Sequence, residues 1–242
     1  MGSPSKSPAD SPIRTEIASG TQENRHSPSP LLLTIPVNSL HSGIQADLVT
    51  NLHEFWPWQP RLIPIPSVFH SLEKGGPFES CLQCGRNLLL AEQYMIERVF
   101  KGPEPIVEYA MCSLCVEEAS CELSPESLKK VREHFLENVD PQARMERLRP
   151  LLDEDDASPW LDECLFTGTP VTDCRERQIC GWFEGDQLRL DYAPFMLSGK
   201  AVEGIVDQLS EQTRGWMQDF VGDNFGLPSE FVDNPDLMPL LI

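Results

Sequence analysis

The sequence predicts an α+β fold: a cysteine-bearing turn, a β-hairpin and a helix, followed by a second hairpin–helix segment with fewer cysteines. Three observations predict it. Cys81-Leu82-Gln83-Cys84 and Cys112-Ser113-Leu114-Cys115 form two C-x-x-C pairs with 27 residues between them. In that interval, 94–100 and 106–110 are apolar or β-favouring and flank Lys101-Gly102-Pro103-Glu104-Pro105, which is turn chemistry. A comparable order of turn, hairpin and helix recurs after an acidic run at 151–163.

Residues 1–30 carry Ser-Pro at Ser3, Ser7, Ser11, Ser27 and Ser29 and almost no large apolar side chain, so they read as a disordered Ser/Pro-rich tail. Each Ser-Pro fits proline-directed phosphorylation as well as a plain solvated tail. The apolar run 31–37, with Pro36 near its end, reads as an edge strand. Ile44, Leu48, Leu52 and Phe55 recur at helical spacing and predict an amphipathic helix over 40–56. Trp56-Pro57-Trp58-Gln59-Pro60 ends it, and 61–66 is extended because proline disfavours helix at the residue before it. The two tryptophans serve either as a docking surface or as the lid of a core. His41, His53 and His70 have no partner at ligand spacing and read as structural or surface residues.

The two C-x-x-C pairs carry the strongest chemical signal. Each can place two thiolates on one side, and four thiolates complete the tetrahedron that zinc prefers. Gly85 follows the first pair and suits a tight turn in which N–H groups approach sulfur. The order is knuckle, hairpin, knuckle, with a helix expected soon after Cys115. It resembles the treble-clef and zinc-ribbon class of structural zinc domains over roughly 60 residues, on the four cysteines, Gly85 and the hairpin. The reading is a zinc knuckle–β-hairpin–helix domain with metal ligands Cys81, Cys84, Cys112 and Cys115 and one structural Zn2+. Two disulfides, or buried free thiols, are the competing accounts. A chain without a signal peptide points to a reducing compartment and so to zinc. Four cysteine ligands leave no open coordination position, which speaks against a catalytic metal.

Ser124, Pro125 and Glu126 signal a helix start, with Leu128, Val131 and Phe135 as its buried face and Asp140-Pro141 as its end. His134 lies on this helix, but four cysteines already fill a coordination sphere. A short helix with Met145 and Leu148 follows and meets Pro150. Lys129, Lys130, Arg132, Arg144, Arg147 and Arg149 are interleaved with Glu and read as a solvated helix face. The segment 151–163 reads as an acidic linker between a helix-plus-zinc domain at 31–150 and a second domain at 164–228.

In the second domain, Cys164-Leu165-Phe166-Thr167-Gly168 aligns with Cys81-Leu82-Gln83-Cys84-Gly85, with Thr167 where the second thiol would stand. A hairpin over 178–183 and 188–192 turns at Glu184-Gly185-Asp186. Phe195-Met196-Leu197-Ser198 leads into a helix, as Met111-Cys112-Ser113-Leu114-Cys115 does. This half reads as a degenerate, metal-poor repeat of the first. The alternative is a second metal held by Cys164, Cys174, Cys180 and Cys121. Ser198 caps one long final helix through Val202, Ile205, Val206, Leu209, Thr213, Trp216, Met217 and Phe220, stopped at Phe225-Gly226-Leu227-Pro228. The tail, 229–242, is acidic and then apolar. It suits either a short docking motif or packing onto its own domain.

The formal net charge is −19 at pH 7, with −6 from 151–163 and −7 from 201–242. Phosphate backbones need a basic surface, and no Lys/Arg cluster supplies one, so nucleic acid is disfavoured as a partner. No apolar run approaches the ~20 residues of a membrane helix. H-E-x-x-H, G-x-S-x-G and P-loop motifs are absent, and no catalytic residue is assigned. The expectation is a soluble, cytoplasmic, non-enzymatic zinc protein that acts as a protein-interaction or regulatory module with a protein partner. A nucleic-acid-associated zinc ribbon is the alternative, and an enzyme whose site does not show in sequence is a further one.

Overall fold

Among the described residues, the strands form one six-stranded antiparallel sheet with β4 (Glu176–Glu184) at its centre. β2 (Tyr94–Lys101) pairs along its whole length with β3 (Glu104–Cys112) on one side and with β4 on the other. The far edge of β4 is shared by two short strands. β5 (Gln187–Leu190) pairs its C-terminal end and β6 (Phe195–Ser198) its N-terminal end. β1 (Arg61–Pro64) lies outside β5, which gives the order β1-β5-β4-β2-β3. The computed structural model describes residues 60–91 and 93–226. The expected Ser/Pro tail, the strand at 31–37, the helix over 40–56, Trp56, Trp58, His41, His53 and the tail at 229–242 lie outside the described residues.

β2 is buried at every position but Lys101. A strand covered on both faces loses the usual alternation of apolar and polar residues, and its polar groups need partners. Tyr109 donates its hydroxyl to the buried Glu97 carboxylate. Arg98 lies directly opposite Glu108, pairs with it at 2.9 Å and donates to Val68 O at 2.6 Å. Glu108 also accepts from the Ser71 hydroxyl and the Leu72 amide. This cluster fastens the loop that precedes the first cysteine onto the sheet. Gly102 and Gly185, both at positive φ, turn the two hairpins where the sequence predicts them.

Helices follow each hairpin. α1 (Ser113–Glu122) and α2 (Pro125–Asn138) follow β3. α3 (Pro141–Leu148) and the one-turn α4 (Ser158–Leu161) lead to the second half, where α5 (Gly199–Val206) and α6 (Glu211–Phe225) follow β6. The predicted start of α2 holds: the Ser124 side chain accepts from the Ser127 amide, and Pro125 occupies the first turn. Tyr109 on β3 packs against Phe220 and Phe225 of α6, which seats that helix on the sheet.

Two expectations are corrected. The long final helix is two helices. Tight bonds from Gln208 and Leu209 to Ile205 O and Val206 O end α5, and the Ser210 side chain accepts from the Thr213 amide to cap α6. An apolar period that continues across a break cannot reveal it, whereas Ser210 followed by Glu211 is a start signal. Arg144 does not belong to a solvated face. It is 8% exposed and donates to three backbone carbonyls, Tyr192 O, Trp160 O and Pro194 O. Lys130 and Lys129 do make the expected i,i+4 pairs, with Glu126 and Glu133.

The acidic segment does not divide the sheet, because β2 and β4 lie on either side of it in sequence and pair across eight residues of β2. The starts of α2 and α6 also meet. The Ser124 amide donates to Thr213 Oγ1 at 3.0 Å, the Ser210 amide donates to Ser127 Oγ at 2.8 Å, and the Ser124 and Ser210 hydroxyls are 2.9 Å apart.

Candidate metal centre

The loop from Ser80 to Asn87 closes on itself. The Cys81 amide donates to Arg86 O at 2.9 Å and the Gly85 amide to Cys81 O at 2.9 Å. Gly85 has φ +67°, a conformation that residues with a Cβ rarely adopt, so the tight return depends on glycine here. The Leu82 amide donates to Ala110 O at 2.8 Å and clips the turn to the edge of β3. The Asn87 side chain then accepts from the Leu89 amide and starts a three-ten turn over Leu88–Leu90.

The second pair is built differently from the expected second knuckle. Cys112 ends β3 and is the N-cap of α1, so Cys115 lies within the first helical turn. The helix therefore begins at Ser113 and not after Cys115. Helical geometry supplies the juxtaposition, since residues three apart share a face.

These two arrangements converge. The sulfurs of Cys81, Cys84, Cys112 and Cys115 all lie within 4.8 Å of one another. Cys84 Sγ and Cys112 Sγ are 3.8 Å apart. A tetrahedron with Zn–S bonds of about 2.3 Å has edges of about 3.8 Å, so the separation fits a shared metal. Four cysteines in this arrangement could hold one metal ion. All eight cysteines are free thiols. Cys81, Cys112 and Cys115 are buried and Cys84 is exposed.

The electrostatics distinguish the thiols. Burial pushes Cys81 up, but the backbone N–H groups of Cys84, Cys112 and Gln83 and the Cys84 side chain more than offset it and bring the thiol down to about 7. The Cys112 amide reaches Cys81 Sγ at 3.4 Å. Burial raises Cys112, and burial together with the neighbouring thiols raises Cys115 well above the ordinary thiol range. Cys81 is thus shifted toward the thiolate that binds a metal, whereas burial favours the protonated form of Cys112 and Cys115.

The other candidate ligands stay apart. Among the described residues, Cys121, Cys164, Cys174 and Cys180 do not form a compact metal-ligating group. Cys121 is exposed, and Cys180 sits on the central strand β4 where burial, and then the Glu97 charge, push its thiol up. His70 lies 3.2 Å from Ile65 O through Nε2, and His134 packs edge-on against Phe166.

Cys164 has a different setting. It opens a turn closed by its amide to Thr169 O and by the Gly168 amide to its own carbonyl, both at 2.8 Å. Its sulfur accepts from the Ser198 amide and from the Ser198 hydroxyl, each at 3.3 Å. Burial pushes this thiol up, but the Ser198 and Thr167 groups outweigh it and the net shift is downward.

Among the described residues no helix is long and apolar enough to cross a membrane. No family model, no curated protein and no solved structure matches the chain.

Proposed function

We propose that the chain is a non-enzymatic zinc protein in which one structural Zn2+, held by Cys81, Cys84, Cys112 and Cys115, fixes a surface for a protein partner. The observation that carries the proposal is the convergence of four sulfurs within 4.8 Å from two segments joined by a hairpin. Zinc is the metal because four soft thiolates in a tetrahedral arrangement favour it over hard cations, which take oxygen ligands. A full set of four protein ligands leaves no position for a substrate or an activated water, which separates a structural role from a catalytic one.

The ligand-bearing segments also carry the candidate surface. Leu90 is 84% exposed, Leu89 precedes it on the same three-ten turn, and Leu114, also exposed, lies between Cys112 and Cys115. Exposed leucines on a segment that a metal rigidifies suit a partner that buries apolar groups, since little ordering entropy is left to lose on binding. The net charge of −19 favours such a partner over nucleic acid.

The test is affinity purification with the wild-type chain, with Leu89→Ser/Leu90→Ser and with Cys84→Ser, each with and without nuclease. The expected result is a nuclease-resistant protein partner that both variants lose, while the leucine variant keeps its zinc. Recovery that disappears on nuclease treatment would overturn the proposal in favour of nucleic-acid association.

A further inference from the structure

The turn at Cys164 repeats the turn at Cys81 bond for bond. Cys81→Arg86 O (2.9 Å) has its counterpart in Cys164→Thr169 O (2.8 Å), and Gly85→Cys81 O (2.9 Å) in Gly168→Cys164 O (2.8 Å). Leu82→Ala110 O matches Leu165→Met196 O, both at 2.8 Å. The Cys112 amide donates to Cys81 Sγ at 3.4 Å and the Ser198 amide to Cys164 Sγ at 3.3 Å. Cys112 and Ser198 each end a strand and cap the next helix, at φ −66°, ψ 154° and φ −72°, ψ 155°.

The correspondence keeps one offset. Cys81 and Cys164, Gly85 and Gly168, the three-ten turns Leu88–Leu90 and Val171–Asp173, and the hairpin glycines Gly102 and Gly185 are all 83 positions apart. Beyond the hairpins the offset is 86, because three extra residues separate β5 from β6 where β3 runs unbroken. It then holds through Cys112 and Ser198, through the caps Ser124 and Ser210, and through Asn138 and Asn224. The last two donate to the carbonyls of His134 and Phe220, at 2.7 and 2.8 Å.

The contacts between the halves are reciprocal. In the β2–β4 ladder, Tyr94 pairs with Phe183, and their counterparts Arg177 and Phe100 pair with each other. Glu97 faces Cys180, its own counterpart. Ser124→Thr213 and Ser210→Ser127 are likewise exchanged, and Ser124 touches Ser210. When residue i meets j′ and j meets i′, the two bodies are related by a two-fold axis. Here it passes through the Glu97–Cys180 and Ser124–Ser210 pairs.

We propose that 81–138 and 164–225 are two copies of one metal-binding unit, and that Cys164, Thr167, Ser198 and Ala201 are a latent site for a thiophilic divalent cation that lacks three of its four thiols. The counterparts of Cys84, Cys112 and Cys115 are Thr167, Ser198 and Ala201. In the second copy the Ser198 hydroxyl adds a bond to the Cys164 sulfur, in the place that the Cys112 thiol holds in the first. The proposal rests on the metal reading of the first four cysteines.

The test is metal stoichiometry on the full chain, by elemental analysis for zinc and by absorbance titration with Co2+. Wild type is expected to bind one equivalent. Thr167→Cys/Ser198→Cys/Ala201→Cys is expected to bind two, with the thiolate-to-cobalt charge-transfer band doubled. Thr167→Cys/Ser198→Cys, which leaves the buried Ala201 in place, is expected to take a second cobalt with a weaker band. One equivalent in wild type and in both folded variants overturns the proposal alone. A triple variant that cannot be refolded with two equivalents of zinc overturns it as well. Zero in wild type overturns the reading of the first site, and this proposal with it.

Discussion

Cys84 and Cys112 are 28 positions apart in sequence, and their sulfurs stand 3.8 Å from each other. One comes from a glycine turn and the other from the junction of a strand and a helix. The β2–β3 hairpin holds the two segments adjacent, and the Leu82→Ala110 bond ties the turn to the hairpin edge.

Removing the metal should therefore release the turn before the sheet. Purified reduced protein is expected to contain one zinc per chain, and Cys84→Ser or chelation to remove it. Structural zinc binds with about 10–16 kcal/mol in small domains, and a chain of this size loses about 2–4 °C of melting temperature per kcal/mol. A fall of about 10 °C or more is expected. Hydrogen exchange should quicken first at the Leu82 amide. Unchanged melting with metal demonstrably gone would rule out a structural role.

The three tyrosines make a pH prediction. Burial, and then the Asp186 charge, push Tyr94 up to about 12. Burial followed by Glu97 raises Tyr109 well above its ordinary value, and burial followed by Asp191 does the same for Tyr192. An acid whose folded pKa lies above its unfolded value keeps protons that the unfolded chain gives up. Stability is then full below about pH 10 and falls as pH rises toward and past the folded values. The expected result is no phenolate absorbance between about pH 9 and 11 while the fold persists, then a joint rise with alkaline unfolding. Phenolate appearing near pH 10 with intact circular dichroism would contradict it.

Arg144→Ala should destabilise the chain without touching the metal. The guanidinium serves Tyr192 O, Trp160 O and Pro194 O, and burial, then the Arg147 charge, lower its pKa to about 10. It therefore remains charged at neutral pH. An unmet buried acceptor costs about 1–3 kcal/mol, so a loss of about 3 kcal/mol or more is expected in urea unfolding. Zinc content should not change.

Two glycines should respond with opposite signs. A Cβ on Gly181 would stand 3.1 Å from Phe69 Cζ and 3.2 Å from Leu188 Cδ1 and Phe183 Cε2. Overpacking of this kind costs about 1–3 kcal/mol, which is the expected loss for Gly181→Ala. Gly215 lies inside α6 with nothing within 4 Å of an added Cβ, so Gly215→Ala should gain up to about 1 kcal/mol from helix propensity. Chemical denaturation of both variants checks the pair.

Local chemistry made much of the molecule legible. Two C-x-x-C pairs around a hairpin with a glycine turn announce which four thiols meet, because each step needs only neighbouring residues. Ser124-Pro125-Glu126 announces α2 for the same reason. The second hairpin and the strand before α5 were also readable, from Gly185 and from the run Phe195–Ser198. The cap at Ser210 was written in the same alphabet but lay inside an uninterrupted apolar period that masked it.

By itself, then, the sequence determined the cysteine set, both hairpins and the starts of α2 and α5, each through contacts of short range. Only the tertiary structure decided that β2 and β4 share one sheet, that Arg144 is buried, and that Ser124 meets Ser210. Those relations join residues tens of positions apart. Strand pairing uses backbone groups that every residue carries, so the partner of β2 leaves no mark in its own side chains. An arginine's burial depends on carbonyls supplied by three distant segments, which no local window contains.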